Sequence, residues 1–130
     1  MSRKRILVVD DDQEFTRFVH AALTTRGNYD VREENEGKRA LNAAREFHPH
    51  LILLDVNMPY VPGDLIASLI REDRELHNIP IIYVTALIKP EESEDKELGQ
   101  NLMLSKPVQV EKLLECIRLK LEEAHSEEGL

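Results

Sequence analysis

The sequence predicts an α/β protein, a doubly wound (βα)5 three-layer sandwich around a parallel, five-stranded sheet in the order 2-1-3-4-5. Short apolar runs that end at polar residues alternate five times with segments whose apolar residues recur at helical spacing. The most apolar runs, at 6–9, 51–54 and 81–84, are expected in the centre of the sheet, and the polar run at 29–32 at an edge. This arrangement places a topological switch between the first and third strands.

Length and composition indicate one globular domain. The chain has 130 residues, of which 42% are hydrophobic and 32% are charged, which is an ordinary globular balance. We expect a domain over residues 1–122, an acidic tail at 123–130 that frays, and no effector domain.

Net charge, cysteine content and the length of the apolar runs exclude several classes of protein. The net charge is −8, whereas binding to nucleic acid or to an anionic membrane would require a basic surface, so neither is expected. Cys116 is the sole cysteine, which excludes an internal disulfide bond and suits the reducing cytoplasm. The sequence contains neither an apolar run of membrane-spanning length nor the core of a signal peptide.

In the first half of the chain, each of two strands precedes a helix. The run 6–9 is the first strand, and a helix that Asp12 can cap is predicted over 13–26. The more polar strand 29–32 follows, and a second helix is predicted over 37–47. The first helix is expected to bury one apolar face, formed by Phe15, Phe18, Val19, Ala22 and Leu23.

The second half of the chain continues the alternation. The central strand, 51–54, is followed by prolines and a glycine, and then by a third helix that starts near Asp64. The strand 81–84 comes next, and 102–104 is the fifth strand. The last helix carries one apolar stripe, formed by Val110, Leu113, Leu114, Ile117 and Leu121.

The segment 89–98 is the exception to this pattern. Between Lys89 and Glu97 the ring of Pro90 is the one apolar group, although Glu and Lys favour helix formation. Helices in proteins are held mainly by packing an apolar face. We therefore expect at most a short, loosely held helix over 89–98.

Five polar residues each lie at the end of a predicted strand, namely Asp10, Asp11, Asp55, Thr85 and Lys106. Because the carboxyl ends of parallel strands meet at one edge of the sheet, we expect these side chains to converge at the topological switch. Three carboxylates at close range repel one another and need a cation, and an all-oxygen ligand set favours Mg²⁺. A carboxylate beside Mg²⁺ can also act as a nucleophile and form an aspartyl phosphate. Taken without the other four, Asp55 is equally well explained as a turn former or a helix cap.

In these residues the chain resembles the receiver domain of two-component response regulators. The resemblance extends from Lys4 to about Leu121 and would imply a flavodoxin-like fold. It is carried by the motifs Val8-Val9-Asp10-Asp11-Asp12, Asp55-Val56-Asn57-Met58-Pro59 with Gly63, Thr85-Ala86 and Lys106-Pro107.

The resemblance implies a role for each residue of the acidic site. Asp55 would be the phosphoacceptor and would also contact the metal ion. Asp11 would be a direct Mg²⁺ ligand, and Asp10 would act largely through water. Asn57 would offer its backbone carbonyl to the metal.

The resemblance also implies roles for the residues at the ends of the last two strands. Thr85 and Lys106 would bind phosphate oxygens, and the bond between Lys106 and Pro107 would be cis. Met103 is a departure, because the family usually has Tyr or Phe there, a ring that turns inward on phosphorylation. We therefore expect intact phosphorylation chemistry and an altered relay of the signal.

As a receiver, the protein would be a stand-alone response regulator and a signalling domain rather than an enzyme, apart from intrinsic autodephosphorylation. It would take a phosphoryl group from a sensor histidine kinase or a histidine phosphotransfer protein. It would then signal by docking to a downstream protein or by phosphorelay. We expect a cytoplasmic monomer or weak homodimer.

Three alternatives remain. A phosphatase of the haloacid-dehalogenase type also forms an aspartyl phosphate, and Asp10 and Asp12 could imitate its opening motif. That family, however, has a second acid pair after its lysine, and only a helix follows Lys106. A flavodoxin-like binding module would have a first loop rich in glycine and hydroxyls, and here that loop is acidic. A receiver used only as a binding module would not need all five polar residues.

Overall fold

The computed structural model describes residues 3–59, 61–86, 97–98 and 101–128. Within these ranges the chain forms strands and helices in alternation. The strands are β1 (Arg5–Val9), β2 (Asp30–Glu34), β3 (Leu51–Leu54), β4 (Ile81–Thr85), β5 (Glu97–Leu98) and β6 (Asn101–Ser105). The helices are α1 (Gln13–Arg26), α2 (Ala40–Phe47), α3 (Gly63–Glu72) and α4 (Val110–Glu128), and a 3-10 turn, Gly37–Arg39, leads into α2.

The strands form one sheet in the spatial order β2-β1-β3-β4-β6-β5. The first five of these strands are parallel to their neighbours, which confirms the predicted order 2-1-3-4-5 with β6 as the fifth parallel strand. The two-residue strand β5 pairs antiparallel with β6 at the outer edge and was not predicted. A strand of two residues is too short to show any periodicity in the sequence.

Two apolar layers cover the sheet. Strands β1, β3 and β4 are buried on both faces, which explains why their apolar runs have no polar interruption. Successive residues of β1 point to opposite layers: Leu7 packs in the layer under α2 and α3, and Val8 packs in the layer under α1 and α4. Cys116 lies in the second layer as a buried thiol that forms no disulfide bond. The predicted three-layer sandwich is therefore present.

The ends of the helices follow local capping rules. The carboxylate of Asp12 accepts hydrogen bonds from the backbone N–H groups of Glu14, at 3.0 Å, and Phe15, at 3.3 Å, so the predicted cap is confirmed. Helix α1 ends at Gly27, whose N–H donates to the Leu23 carbonyl. Helix α2 ends at His48 in the left-handed region, with φ of 52°.

Two expectations concern the last third of the chain. The helix expected over 89–98 lies outside the described residues, apart from Glu97 and Leu98, which form β5. Helix α4 continues to Glu128, so the segment from residue 123 is helical that far, and fraying of these turns stays a prediction. Among the helices that the structure describes, none is long and apolar enough to cross a membrane.

Candidate functional site

The carboxyl ends of the parallel strands bring four polar side chains to one edge of the sheet. Asp10 follows β1, Asp55 follows β3, Thr85 ends β4, and Lys106 follows β6. The ammonium nitrogen of Lys106 lies 2.7 Å from Asp10 Oδ2 and 3.9 Å from Asp55 Oδ2. The backbone holds these positions, since Asp55 N donates to the Val9 carbonyl and Lys106 N donates to the Thr85 carbonyl.

An acidic cluster lies at the centre of this edge. Asp10, Asp11 and Asp55 each place one carboxylate oxygen within 4.8 Å of the others. Asp10 and Asp55 are buried, with 1% and 5% of their surface exposed, whereas Asp11 is exposed. Three carboxylates and one lysine leave the site net negative, so it is suited to a hard divalent cation.

Asp10 has one satisfied oxygen and one that lacks a well-aligned hydrogen bond. Its Oδ1 accepts from the Asp12 N–H at 3.0 Å. Its Oδ2 is buried and forms the ion pair with Lys106, and no hydrogen bond of good geometry reaches it within the described part of the chain. Burial raises the pKa of Asp10 from 3.8 to about 6, and the charge of Asp55 adds to this, while Lys106 and the Asp12 N–H lower it. A buried, under-coordinated carboxylate oxygen fits a metal ligand.

The carboxylate of Asp55 is oriented by its own loop. Its Oδ1 accepts from the Asn57 N–H at 3.0 Å, and its Oδ2 faces Lys106. Gly63 stabilises this loop, because its N–H donates to the Val56 carbonyl at 3.1 Å. A Cβ atom at Gly63 would lie 2.5 Å from Val56 Cα and closer still to the Asp55 carbonyl oxygen, so only glycine fits without a shift of backbone.

Lys106 and Thr85 close the site on the β4–β6 side. Thr85 is buried, and the Lys106 side chain is 19% exposed. The peptide bond between Lys106 and Pro107 is cis, the isomer that the resemblance implies. Met103 does not join the polar cluster: it is half-buried on β6 and packs against the apolar layer under α2 and α3.

Sequence reasoning missed two residues that support the site. The ammonium of Lys106 lies over the ring of Phe15, 4.4 Å from its centroid. Asn35 donates through Nδ2 to the Asp10 carbonyl at 2.8 Å and to the Thr16 hydroxyl at 3.0 Å, which ties the loop after β2 to the loop after β1 and to helix α1. The sequence placed Phe15 on the apolar face of the first helix but did not mark its contact with Lys106, and nothing in the sequence marked Asn35.

A cavity of about 370 Å³ opens beside the acidic cluster. Its lining includes the polar residues Asp11 and Lys38 and the apolar residues Met58 and Val61. The cavity therefore reaches the acidic cluster at its exposed member, Asp11.

A doubly wound sheet that carries an acidic pair, a further aspartate, a threonine and a lysine at its carboxyl edge defines the receiver class of signalling domains. The response regulator receiver domain family matches residues 6–118, and the chain belongs to this family. The dehalogenase-type alternative is therefore wrong. Receiver domains generally bind Mg²⁺ and interact with histidine kinases or phosphotransfer proteins.

Individual relatives agree with this assignment. The polar-differentiation response regulator DivK of Brucella ovis is 33% identical over 122 residues, which cover 93% of this chain and 98% of that protein. A CheY-like receiver domain protein of Methanospirillum hungatei has a TM-score of 0.82 at 27% identity and covers 97% of this chain and 99% of its own. The chemotaxis protein CheY4 of Vibrio cholerae has a TM-score of 0.77 at 26% identity, with 90% and 98% covered. The chain is similar to response regulators over nearly its whole length.

Proposed function

We propose that this receiver accepts a phosphoryl group on Asp55, with Mg²⁺ as cofactor, from a sensor histidine kinase or a histidine phosphotransfer protein. It then signals by docking to a downstream protein or by phosphorelay. One observation carries the proposal. The buried carboxylate of Asp55 is oriented by Asn57, lies beside the acidic pair and faces the Lys106 ammonium at 3.9 Å.

The chemistry follows from this arrangement. A carboxylate oxygen of Asp55 forms a bond to phosphorus as the bond from phosphorus to the donor nitrogen or oxygen breaks, and the electron pair of that bond leaves with the donor. Negative charge is spread over the phosphoryl oxygens during transfer. The ammonium of Lys106 and the hydroxyl of Thr85 would stabilise that charge.

The residues for the metal ion are those of the acidic cluster. Asp10, Asp11 and Asp55 would hold Mg²⁺ together with the backbone carbonyl of Asn57. The bound ion supplies positive charge that neutralises the three carboxylates and the incoming phosphoryl group. Lys106 alone offers one positive charge against these groups, so the site requires the cation before a phosphoryl group can approach.

The test is labelling with a small phosphodonor such as acetyl phosphate in the presence of Mg²⁺, followed by intact mass measurement. Wild type should gain one phosphoryl group on an acid-stable, base-labile bond. Asp55→Asn should not gain it, whereas the matched control Asp30→Asn should react as wild type, because Asp30 is exposed at the opposite end of the sheet.

Two results would contradict the proposal. If Asp55→Asn were labelled as fast as wild type, the acceptor would lie elsewhere. If wild type were not labelled by a small donor or by any phosphorylated histidine protein, the chain would be a receiver that acts only as a binding module.

A further inference from the structure

The ammonium group of Lys106 has three neighbours of different character. Two are carboxylates, Asp10 at 2.7 Å and Asp55 at 3.9 Å, and the third is the ring face of Phe15, whose centroid lies at 4.4 Å. A cation within about 6 Å of an aromatic centroid is attracted by the negative face of the ring. Phe15 therefore contributes to where the lysine head group rests.

The contact with the ring differs in kind from the two ion pairs. A carboxylate neutralises the ammonium, whereas a ring attracts it and leaves its full positive charge available to a phosphoryl oxygen. Asp10 is also a member of the acidic cluster, so it cannot serve Lys106 alone once it is engaged by a cation. The ring of Phe15 is not a member of that cluster, so its contact with Lys106 does not compete with a cation for a carboxylate.

The ring itself is held firmly. Phe15 lies in the first turn of α1, and its backbone N–H donates to the capping carboxylate of Asp12 at 3.3 Å. Its half-buried side chain packs against the apolar layer under α1 and α4. A lysine side chain has four rotatable bonds and loses much conformational entropy when it is fixed. Contact with the ring of Phe15 restricts the positions that the Lys106 ammonium adopts relative to Asp55.

We propose that Phe15 is a positioning residue that holds the Lys106 ammonium within reach of Asp55 for phosphoryl transfer. This inference rests on the function proposed above. It assigns to Phe15 a role that differs from that of an ordinary core residue, since it acts through its ring face and through Lys106.

The contact is tested first in the metal-free protein by NMR. The Hε protons of Lys106, assigned by their loss in Lys106→Ala, should resonate upfield of the other lysine Hε signals because they lie over the ring. The upfield shift should disappear in Phe15→Leu and persist in Phe15→Tyr. The matched control is Phe18→Leu, which makes the same change on the same helix at an exposed position and should leave the signal unchanged. If the wild-type signal were not shifted upfield, the inference would be overturned whatever the labelling shows.

The role is tested next by the rate of labelling with acetyl phosphate at saturating Mg²⁺. Loss of the ring in Phe15→Leu should lower the rate about two- to tenfold, the range expected for one cation–π contact. Phe15→Tyr should restore the rate, and the Mg²⁺ dissociation constant should be the same as in wild type, because Phe15 is not one of the residues that would hold the metal. A purely structural role would instead alter Mg²⁺ affinity and would not be rescued by the ring alone.

The outcomes separate the two proposals. A wild-type rate in Phe15→Leu, with wild type labelled on Asp55, would overturn the inference and leave the proposed function intact. Failure of wild type to be labelled would overturn both. If Phe15→Leu did not fold, Phe15→Met takes its place, since Met fills a similar volume with a flexible chain and has no ring.

Discussion

Tyr83 and Met103 lie side by side on the neighbouring parallel strands β4 and β6, in register, and both belong to the apolar layer under α2 and α3. Tyr83 is fully buried, and its hydroxyl lies 3.4 Å from the guanidinium of Arg71 on α3. The aromatic ring on this face is therefore on β4, two residues before Thr85. The residue on β6, where the resemblance implies a ring, is the thioether Met103.

From Tyr83 and Met103 we expect that the structural change on phosphorylation stays close to the site. Tyr83 is enclosed on all sides, and Met103 is too flexible to hold two discrete positions, so neither side chain suits an inward–outward switch. Amide chemical-shift changes on addition of Mg²⁺ and beryllium fluoride should therefore fade beyond Thr85, Lys106 and the residues next to them. Large changes across residues 102–118, apart from Lys106 and its immediate neighbours, would contradict this expectation.

Asp11 and Lys106 should separate metal binding from phosphoryl transfer. Asp11→Asn removes one charged oxygen from the cluster and should weaken Mg²⁺ binding at least about tenfold, with loss of labelling as a consequence. Lys106→Ala should abolish most labelling while Mg²⁺ affinity is kept or improved, because the ammonium that pairs with Asp10 at 2.7 Å is gone. Calorimetric Mg²⁺ titration of both variants checks the prediction. A loss of Mg²⁺ affinity in Lys106→Ala would refute it.

Gly63 should tolerate no side chain. A methyl group at this position would meet backbone atoms of Asp55 and Val56, so Gly63→Ala should lower the free energy of unfolding by about 1–3 kcal/mol and slow the labelling of Asp55. Gly37→Ala is the control, since its nearest neighbour would be Val61 Cβ at 3.0 Å, a side-chain atom, and its cost should be smaller. Urea denaturation of wild type and the two variants measures the loss in free energy of unfolding for each. Equal stability of the two variants would show that the loop after β3 can move.

Much of the fold and of the site could be predicted from the sequence because strand ends are marked by residue type. The apolar runs stop at acids, a threonine and a lysine, and parallel strands bring those stops to one edge. The capping role of Asp12 could be predicted in the same way, because Asp is strongly preferred at the position before a helix.

Contacts between side chains on different elements could not be predicted in this way. The periodicity of α1 assigned Phe15 and Phe18 to the same buried face, but Phe18 is 45% exposed and Phe15 turns its ring to Lys106. Which residue of a stripe reaches a site depends on how the helix is rotated against the sheet, and the sequence does not state that angle. The contacts of Asn35 depend equally on the relative position of two loops.

The last prediction concerns Asp10 in the protein stripped of metal by EDTA. Its pKa is about 6 in the folded protein, against 3.8 as the ordinary value, chiefly because the carboxylate is buried. A raised pKa means that the folded state binds more protons between these two values. The stability that Asp10 contributes is therefore present at low pH and is lost as the pH rises through about 6.

Asp10→Asn removes the ionisation and should therefore stabilise the metal-free protein at neutral pH. We expect a gain on the order of 1–3 kcal/mol at pH 7, and a gain near zero at pH 4. The attraction of Lys106 for the Asp10 carboxylate is already included, because it contributes to the pKa of about 6. Excess Mg²⁺ should make wild type the more stable of the two proteins at pH 7. Ligand binding stabilises wild type, and the Asp10→Asn variant binds the ion less well. Thermal unfolding of wild type and Asp10→Asn at both pH values, with EDTA and with Mg²⁺, measures these differences in stability. If Asp10→Asn were less stable than wild type at pH 7 in EDTA, the Lys106 ion pair would outweigh the cost of burying the charge.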